Sequence, residues 1–234
     1  MNKQNIEIIE QFFNQYNQKF AKKKIKVLKK TESFFCTQDI HLGISTQSIK
    51  DFIHTTNQFD IETITKLVKS EYNEGRILGW ALLVRDYPNS EILKYFILNH
   101  SNDCANWNVV DFATPIVSKI IFKEKGNDFL QSIGYELIEK NGDNVWSHRF
   151  ALLISLFLAK NNKLNFPIDI VERSLLTNND LIQKPCGIVL NEVGLQNKNI
   201  LKLFLKENKS KISSTIKTYL ITILNKEEQH LLFY

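Results

Sequence analysis

The chain has 234 residues, and 30 Lys and Arg outweigh 25 Asp and Glu to give a formal net charge of +5. Its 43% hydrophobic and 24% charged residues match an ordinary folded protein, which excludes wholesale disorder. Eight Gly and four Pro are too few for an all-β sandwich or barrel, where turns recur every ~8–12 residues. No glycine cluster has the spacing of a P-loop or a dinucleotide fingerprint.

In chain order, the first residues, Met1 to Glu7, are polar and acquire an acid at once, unlike a secretory leader. Ile6, Ile8, Ile9, Phe12, Phe13, Tyr16 and Phe20 then recur at steps of three and four, which predicts an amphipathic helix. A dense lysine run follows from Lys19 to Lys30. Further on, strongly apolar helices are predicted to begin near Arg76, Asp111, Arg149 and Gly187, at spacings of 35, 38 and 38 residues. Each interval holds a more polar helix, and Asn73-Glu74-Gly75, Asn141-Gly142-Asp143 and Thr177-Asn178-Asn179-Asp180 read as turns.

About a dozen helices are expected by this periodicity, and the fold class is all-α. Helix pairs repeating every ~35–45 residues point to a HEAT-like or armadillo-like helical-repeat superhelix with a concave face. No repeat buries its faces alone, so residues 1–234 are expected to form a single cooperative domain. The alternative is an irregular helical bundle.

Cys36, Cys104 and Cys186 are far apart, no C-x-x-C occurs, and the five His have no metal-ligand spacing. The expectation is buried free thiols in a reducing cytoplasm, with no metal and no cofactor. The longest apolar run, Phe150 to Ala159, is about half of a bilayer span, so no membrane association is expected, and the chain is read as a monomer.

Charge is unevenly placed. Residues 1–35 carry a net +5, residues 36–197 a net −4 and residues 198–234 a net +4. Two basic ends could meet a polyanion at separate points, or could be solvated helix faces. Only four residues are arginine: Arg76, Arg85, Arg149 and Arg173.

Three stretches stand at the heads of consecutive apolar helices. They are Asn106-Trp107-Asn108-Val109-Val110-Asp111, Asn144-Val145-Trp146-Ser147-His148-Arg149 and Lys184-Pro185-Cys186-Gly187-Ile188-Val189-Leu190-Asn191-Glu192. Trp107 and Asp111 are four apart, so an indole and a carboxylate share one helix face. Arg149 heads the next apolar helix, from where it could pair with Asp111. The structural alternatives are an aromatic packing anchor at Trp107, a helix cap at Asp111 and a surface base at Arg149.

With these stretches the chain resembles the bacterial DNA alkylation repair family of AlkD-type DNA glycosylases, from about Glu10 to Leu224. Trp107-Asn108-Val109-Val110-Asp111 is similar to the family's W-x-x-V-D, and Trp146-Ser147-His148-Arg149 to its W-x-x-R. Leu42-Gly43-Ile44-Ser45-Thr46 and Glu74-Gly75-Arg76 match its L-G-I and E-x-R stretches.

The resemblance implies a concave surface gripping damaged or distorted duplex DNA through its phosphates, and excision of cationic N3- or N7-alkylated purines. It assigns catalysis to Asp111, Trp107 and Arg149. Asp111 would stabilise the oxocarbenium-like sugar and position water, with Arg149 orienting it and Trp107 offering an electron-rich face. DNA contacts would come from Lys22, Lys23, Lys24, Lys50, Trp146, His148, Lys184, Ile188 and Asn191.

Several positions depart from the family pattern. Ile188 and Asn191 stand where the family has a second cleft indole and arginine. Ile49 and Lys50 replace two arginines, Phe34 replaces a tyrosine, and Asn108 replaces an acid. Two further readings follow: a non-catalytic relative that binds bent, branched or damaged DNA through its backbone, and a protein-interaction scaffold.

Overall fold

A computed structural model describes residues 3–16, 39–141 and 144–233. The predicted Lys19–Lys30 run, with Lys22, Lys23 and Lys24, lies outside the described residues, as do Phe34 and Cys36. Among the described residues the protein is all-α. The helices are α1 (Lys3–Asn14), α2 (Thr46–Thr55), α3 (Ile61–Val68), α4 (Asn73–Asp86), α5 (Ser90–His100) and α6 (Trp107–Asn141). They continue with α7 (Val145–Lys160), α8 (Asn165–Ser174), α9 (Asp180–Gln196), α10 (Lys198–Glu207), α11 (Ser214–Leu220) and α12 (Lys226–Phe233). No helix among the described residues is long and apolar enough to cross a membrane.

Side-chain caps write most of these boundaries. Asp60 caps α3, Asn89 caps α5, Asn144 caps α7, Asn179 caps α9, Asn197 caps α10 and Ser213 caps α11, each accepting from amides of the first turn. The apolar helices therefore begin earlier than the hydrophobic pattern predicts. They start at Asn73, Trp107, Val145 and Asp180, because each has a polar or mixed first turn; the last three follow a side-chain cap, whereas Tyr72 before α4 makes no cap hydrogen bond. The largest correction is at Gly187, which is inside α9 and not at its head. With α11 the start-to-start spacings are 34, 38, 35 and 34 residues.

The chain divides into two compact units, Met1–Val117 and Ser118–Tyr234. In the first, Phe12 of α1 stacks on Phe52 of α2 with ring centroids 4.2 Å apart. α3 lies against α4 so closely that a Cβ at Gly79 would meet the Val68 backbone nitrogen at 2.6 Å. Arg85 at the end of α4 brackets the end of α2, donating to the carbonyls of Ile53, Thr56 and Asn57. One guanidinium thus pairs a carbonyl of the last turn of α2 and two just beyond its end.

In the second unit α9 is the central helix, packed against α7, α8, α10 and α11. Its inner residues Ile182, Cys186, Val189, Leu190 and Val193 are buried. Gln183 fastens it to its neighbours: its amide donates to the carbonyls of Ser174, Leu175 and Thr177 at the end of α8, and Ser213 donates to its oxygen at 2.6 Å. Backbone at Gly126 inside α6 is non-helical, with φ 83° and ψ −170°, a left-handed value that glycine adopts without steric cost.

Candidate nucleic-acid interface

In the first unit, Trp107 is the first residue of α6 and Asp111 stands one turn later; both side chains are partly exposed. Asn106 caps this start, its Oδ1 accepting from the Asn108 amide at 3.2 Å. Asp111 is therefore a second-turn residue, and the capping alternative for it is removed. Pro115, four residues further on, has no N–H to offer the Asp111 carbonyl.

Around the Asn106 cap lies a polar network that the sequence does not announce. The Asp39 carboxylate accepts from the Arg76 guanidinium, from Asn73 Nδ2 at 2.8 Å and from Asn106 Nδ2 at 2.7 Å. Asn73 and Asn108 exchange two amide hydrogen bonds, each 2.9 Å. Arg76 also donates to the carbonyls of Ser70 and Glu71. Beside it, the fully buried Glu74 accepts from the Leu42 and Gly43 amides at 2.9 and 3.2 Å. The Leu42-Gly43-Ile44 and Glu74-Gly75-Arg76 stretches thus meet through Glu74. Asp39 belongs to no motif, and only its position before Ile40 and Leu42 could have flagged it.

In the second unit, α7 carries Trp146, His148 and Arg149 in its first turns. Trp146 is partly exposed. His148 is corrected from a surface contact to a buried one: its Nε2 lies 2.7 Å from Ser174 Oγ. Ser174 Oγ donates to the Ile170 carbonyl at 2.6 Å, so His148 Nε2 is the donor toward it. A phosphate contact from Nε2 would require this bond to break.

Arg149 is 6% exposed and donates through Nη1 to the Leu181 carbonyl at 2.8 Å, so it is not a surface base. On α9, Lys184 is partly exposed with Nζ 3.8 Å from Asp180. Ile188 and Asn191, one turn apart on that helix, are partly exposed, and Asn191 Oδ1 is buried without a hydrogen-bond partner. Lys50 is exposed on α2.

The basic C-terminal segment is partly engaged inside its own unit. Lys198 and Lys202 both reach Glu228, at 2.7 and 3.1 Å. Hydrogen bonds from these lysines and from the Asn225 amide hold that carboxyl down at about 2. Lys209 and Lys217 donate to the carbonyls of Leu231 and Phe233 at the end of α12. Lys206 and Lys226 are exposed. No cluster of three His, Cys, Asp or Glu able to hold a metal occurs among the described residues.

A sequence model of the family described as DNA alkylation repair enzyme matches residues 17–222. The chain belongs to the DNA alkylation repair enzyme family. That match covers all three motif stretches and every catalytic and DNA-contact residue that the resemblance assigns. No curated protein sequence matches the chain significantly.

Proposed function

We propose that this DNA alkylation repair family member is a HEAT-like repeat protein that binds duplex DNA and releases cationic N3- or N7-alkylated purines, with Asp111 as the catalytic carboxylate. One observation carries the reading: within the family match, Trp107 and Asp111 stand one turn apart on a firmly capped helix start, both reachable by solvent.

The chemistry suits so sparse a site. An alkylated, positively charged purine leaves as a neutral molecule, so rupture of the N-glycosidic bond leaves positive charge on the sugar. A carboxylate stabilises that charge and orients the attacking water, the same work that carboxylates do in glycoside hydrolysis. The Trp107 indole offers its negative face to the cationic base or sugar. Arg149, Trp146, Lys184 and Lys50 are the further candidate DNA-site residues in this reading.

Ile188 and Asn191 favour a second reading, in which the chain binds distorted DNA through its phosphates and releases nothing. An aliphatic side chain replaces an aromatic contact worth ~1–3 kcal/mol, and an amide replaces a charge.

Incubation with duplex DNA carrying 7-methylguanine separates the readings, with free base measured for the parent and for Asp111→Asn. Release that Asp111→Asn abolishes supports the enzyme, and salt-dependent binding without release supports the second reading. Absence of salt-dependent DNA binding would falsify both and leave a protein-interaction scaffold.

A further inference from the structure

The first unit contains a buried charge arrangement that ends at the Trp107–Asp111 face. We infer that Asp39 is a positioning residue that fixes the placement of that face through Asn106 and the Asn73–Asn108 pair. This rests on the reading above, in which the face is the reacting one.

The Asp39 side chain is 6% exposed and that of Arg76 4%. Burying such a pair adds little stability over apolar side chains of the same size, but it demands specific geometry from every group around it. Asp39 imposes that geometry on the start of α6. The Asn106 amide is held at both ends: Oδ1 on the Asn108 amide nitrogen and Nδ2 on Asp39. The Asn108 amide is also held at both ends, by Asn73, whose Nδ2 donates in addition to Asp39. Trp107 is therefore flanked on both sides by asparagines whose side chains are hydrogen-bonded at both oxygen and nitrogen, and both trace back to one carboxylate.

A first helical turn ordinarily frays, and an indole on it would sample several positions. Anchoring residues 106 and 108 removes that freedom before DNA arrives. The indole and the carboxylate one turn later are then preorganised, which accelerates a reaction more than it tightens binding.

The test uses the full chain labelled with 5-fluorotryptophan, which gives 19F lines for Trp80, Trp107 and Trp146, the second assigned with Trp107→Phe. Asn106→Ser keeps a capping oxygen and the Asp39–Arg76 pair but deletes the Nδ2 bond to Asp39. Asp39→Asn keeps the side-chain shape and removes the charge. Both are expected to shift or broaden the Trp107 line while the Trp80 and Trp146 lines stay in place.

Both variants are also expected to lower the single-turnover rate of base release by roughly tenfold to a hundredfold, with DNA affinity changed by less than about threefold. An unchanged Trp107 line and rate in Asn106→Ser overturns the inference, as does a loss confined to affinity. If the parent releases no base, the proposed activity fails while the 19F lines still decide whether Asp39 positions Trp107.

Discussion

The Arg149 guanidinium donates to the Leu181 carbonyl, 2.8 Å away, and that carbonyl is the one Pro185 leaves without a helical partner. In α9 the amide four residues after Leu181 would normally make this bond, but proline has no N–H. A side chain from α7 supplies the missing donor. Arg149 therefore has structural work in its own unit besides any role at a DNA site.

Arg149→Met should orphan the Leu181 carbonyl and destabilise the protein by ~1–3 kcal/mol. Pro185→Ala restores an amide at position 185 that can bond Leu181, so the same Arg149→Met change should cost less in that background. Urea unfolding of the four proteins gives the coupling energy, expected above ~0.5 kcal/mol. Strict additivity would mean that Arg149 and Pro185 act independently.

Much of this architecture was readable in the sequence, for local reasons. Helical periodicity is a property of residues three and four apart, so the all-α class and the apolar helices near Arg76, Asp111, Arg149 and Gly187 could be read directly. The starts were displaced because a cap is a hydrogen bond and not a hydrophobic signal: Asn106, Asn144 and Asn179 each precede the apolar stretch they initiate. The Trp107–Asp111 pair was legible since it is one turn long. The Asp39–Asn106 bond joins residues 67 apart in sequence, and nothing local records it. Burial of His148 and Arg149 depends likewise on what α8 and α9 bring against α7.

Gly187 shows how a motif position acquires a physical reason. It lies in the Lys184–Glu192 stretch, and in the fold it faces the ring of Tyr219 on α11. A Cβ there would meet Tyr219 Cδ2 at 2.6 Å and Cγ at 2.9 Å, closer than packed carbons tolerate. Gly187→Ala should therefore destabilise the protein by ~1–3 kcal/mol through overpacking, despite the better helix propensity of alanine. Tyr219→Ala should relieve the clash, so the double variant should lose less than the two single losses combined. Thermal unfolding of the four proteins checks this.

The two described cysteines are inert by environment. Burial pushes both the Cys104 and the Cys186 thiol up to about 12, against 9.0 for an unperturbed thiol. Both should resist iodoacetamide at pH 8 in the native protein and react after unfolding, as read by mass spectrometry of the separate peptides. The pH dependence of stability has a definite sign. A raised folded-state pKa contributes stability that is full below pH 9 and is lost as pH rises from 9 toward 12. Cys104→Ala should therefore show a shallower fall of unfolding free energy across that window than the parent. An equal slope would mean that Cys104 does not contribute.

The departures at Ile188 and Asn191 yield a gain-of-function prediction. Both residues are partly exposed on α9, one turn apart, so a larger side chain at either has solvent to enter. An indole at 188 offers a flat face for a base or sugar, and such stacking contributes ~1–3 kcal/mol, or about fivefold to 150-fold in affinity. An arginine at 191 adds a phosphate contact, which should steepen the fall of log affinity with log salt by about 0.9. Ile188→Trp combined with Asn191→Arg should therefore tighten binding to 7-methylguanine duplexes at low salt and make it more salt-sensitive, as followed by fluorescence anisotropy. Base release should rise with affinity if the site is catalytic and stay absent if the chain only binds. Unchanged affinity and salt slope would remove this face of α9 from the DNA interface.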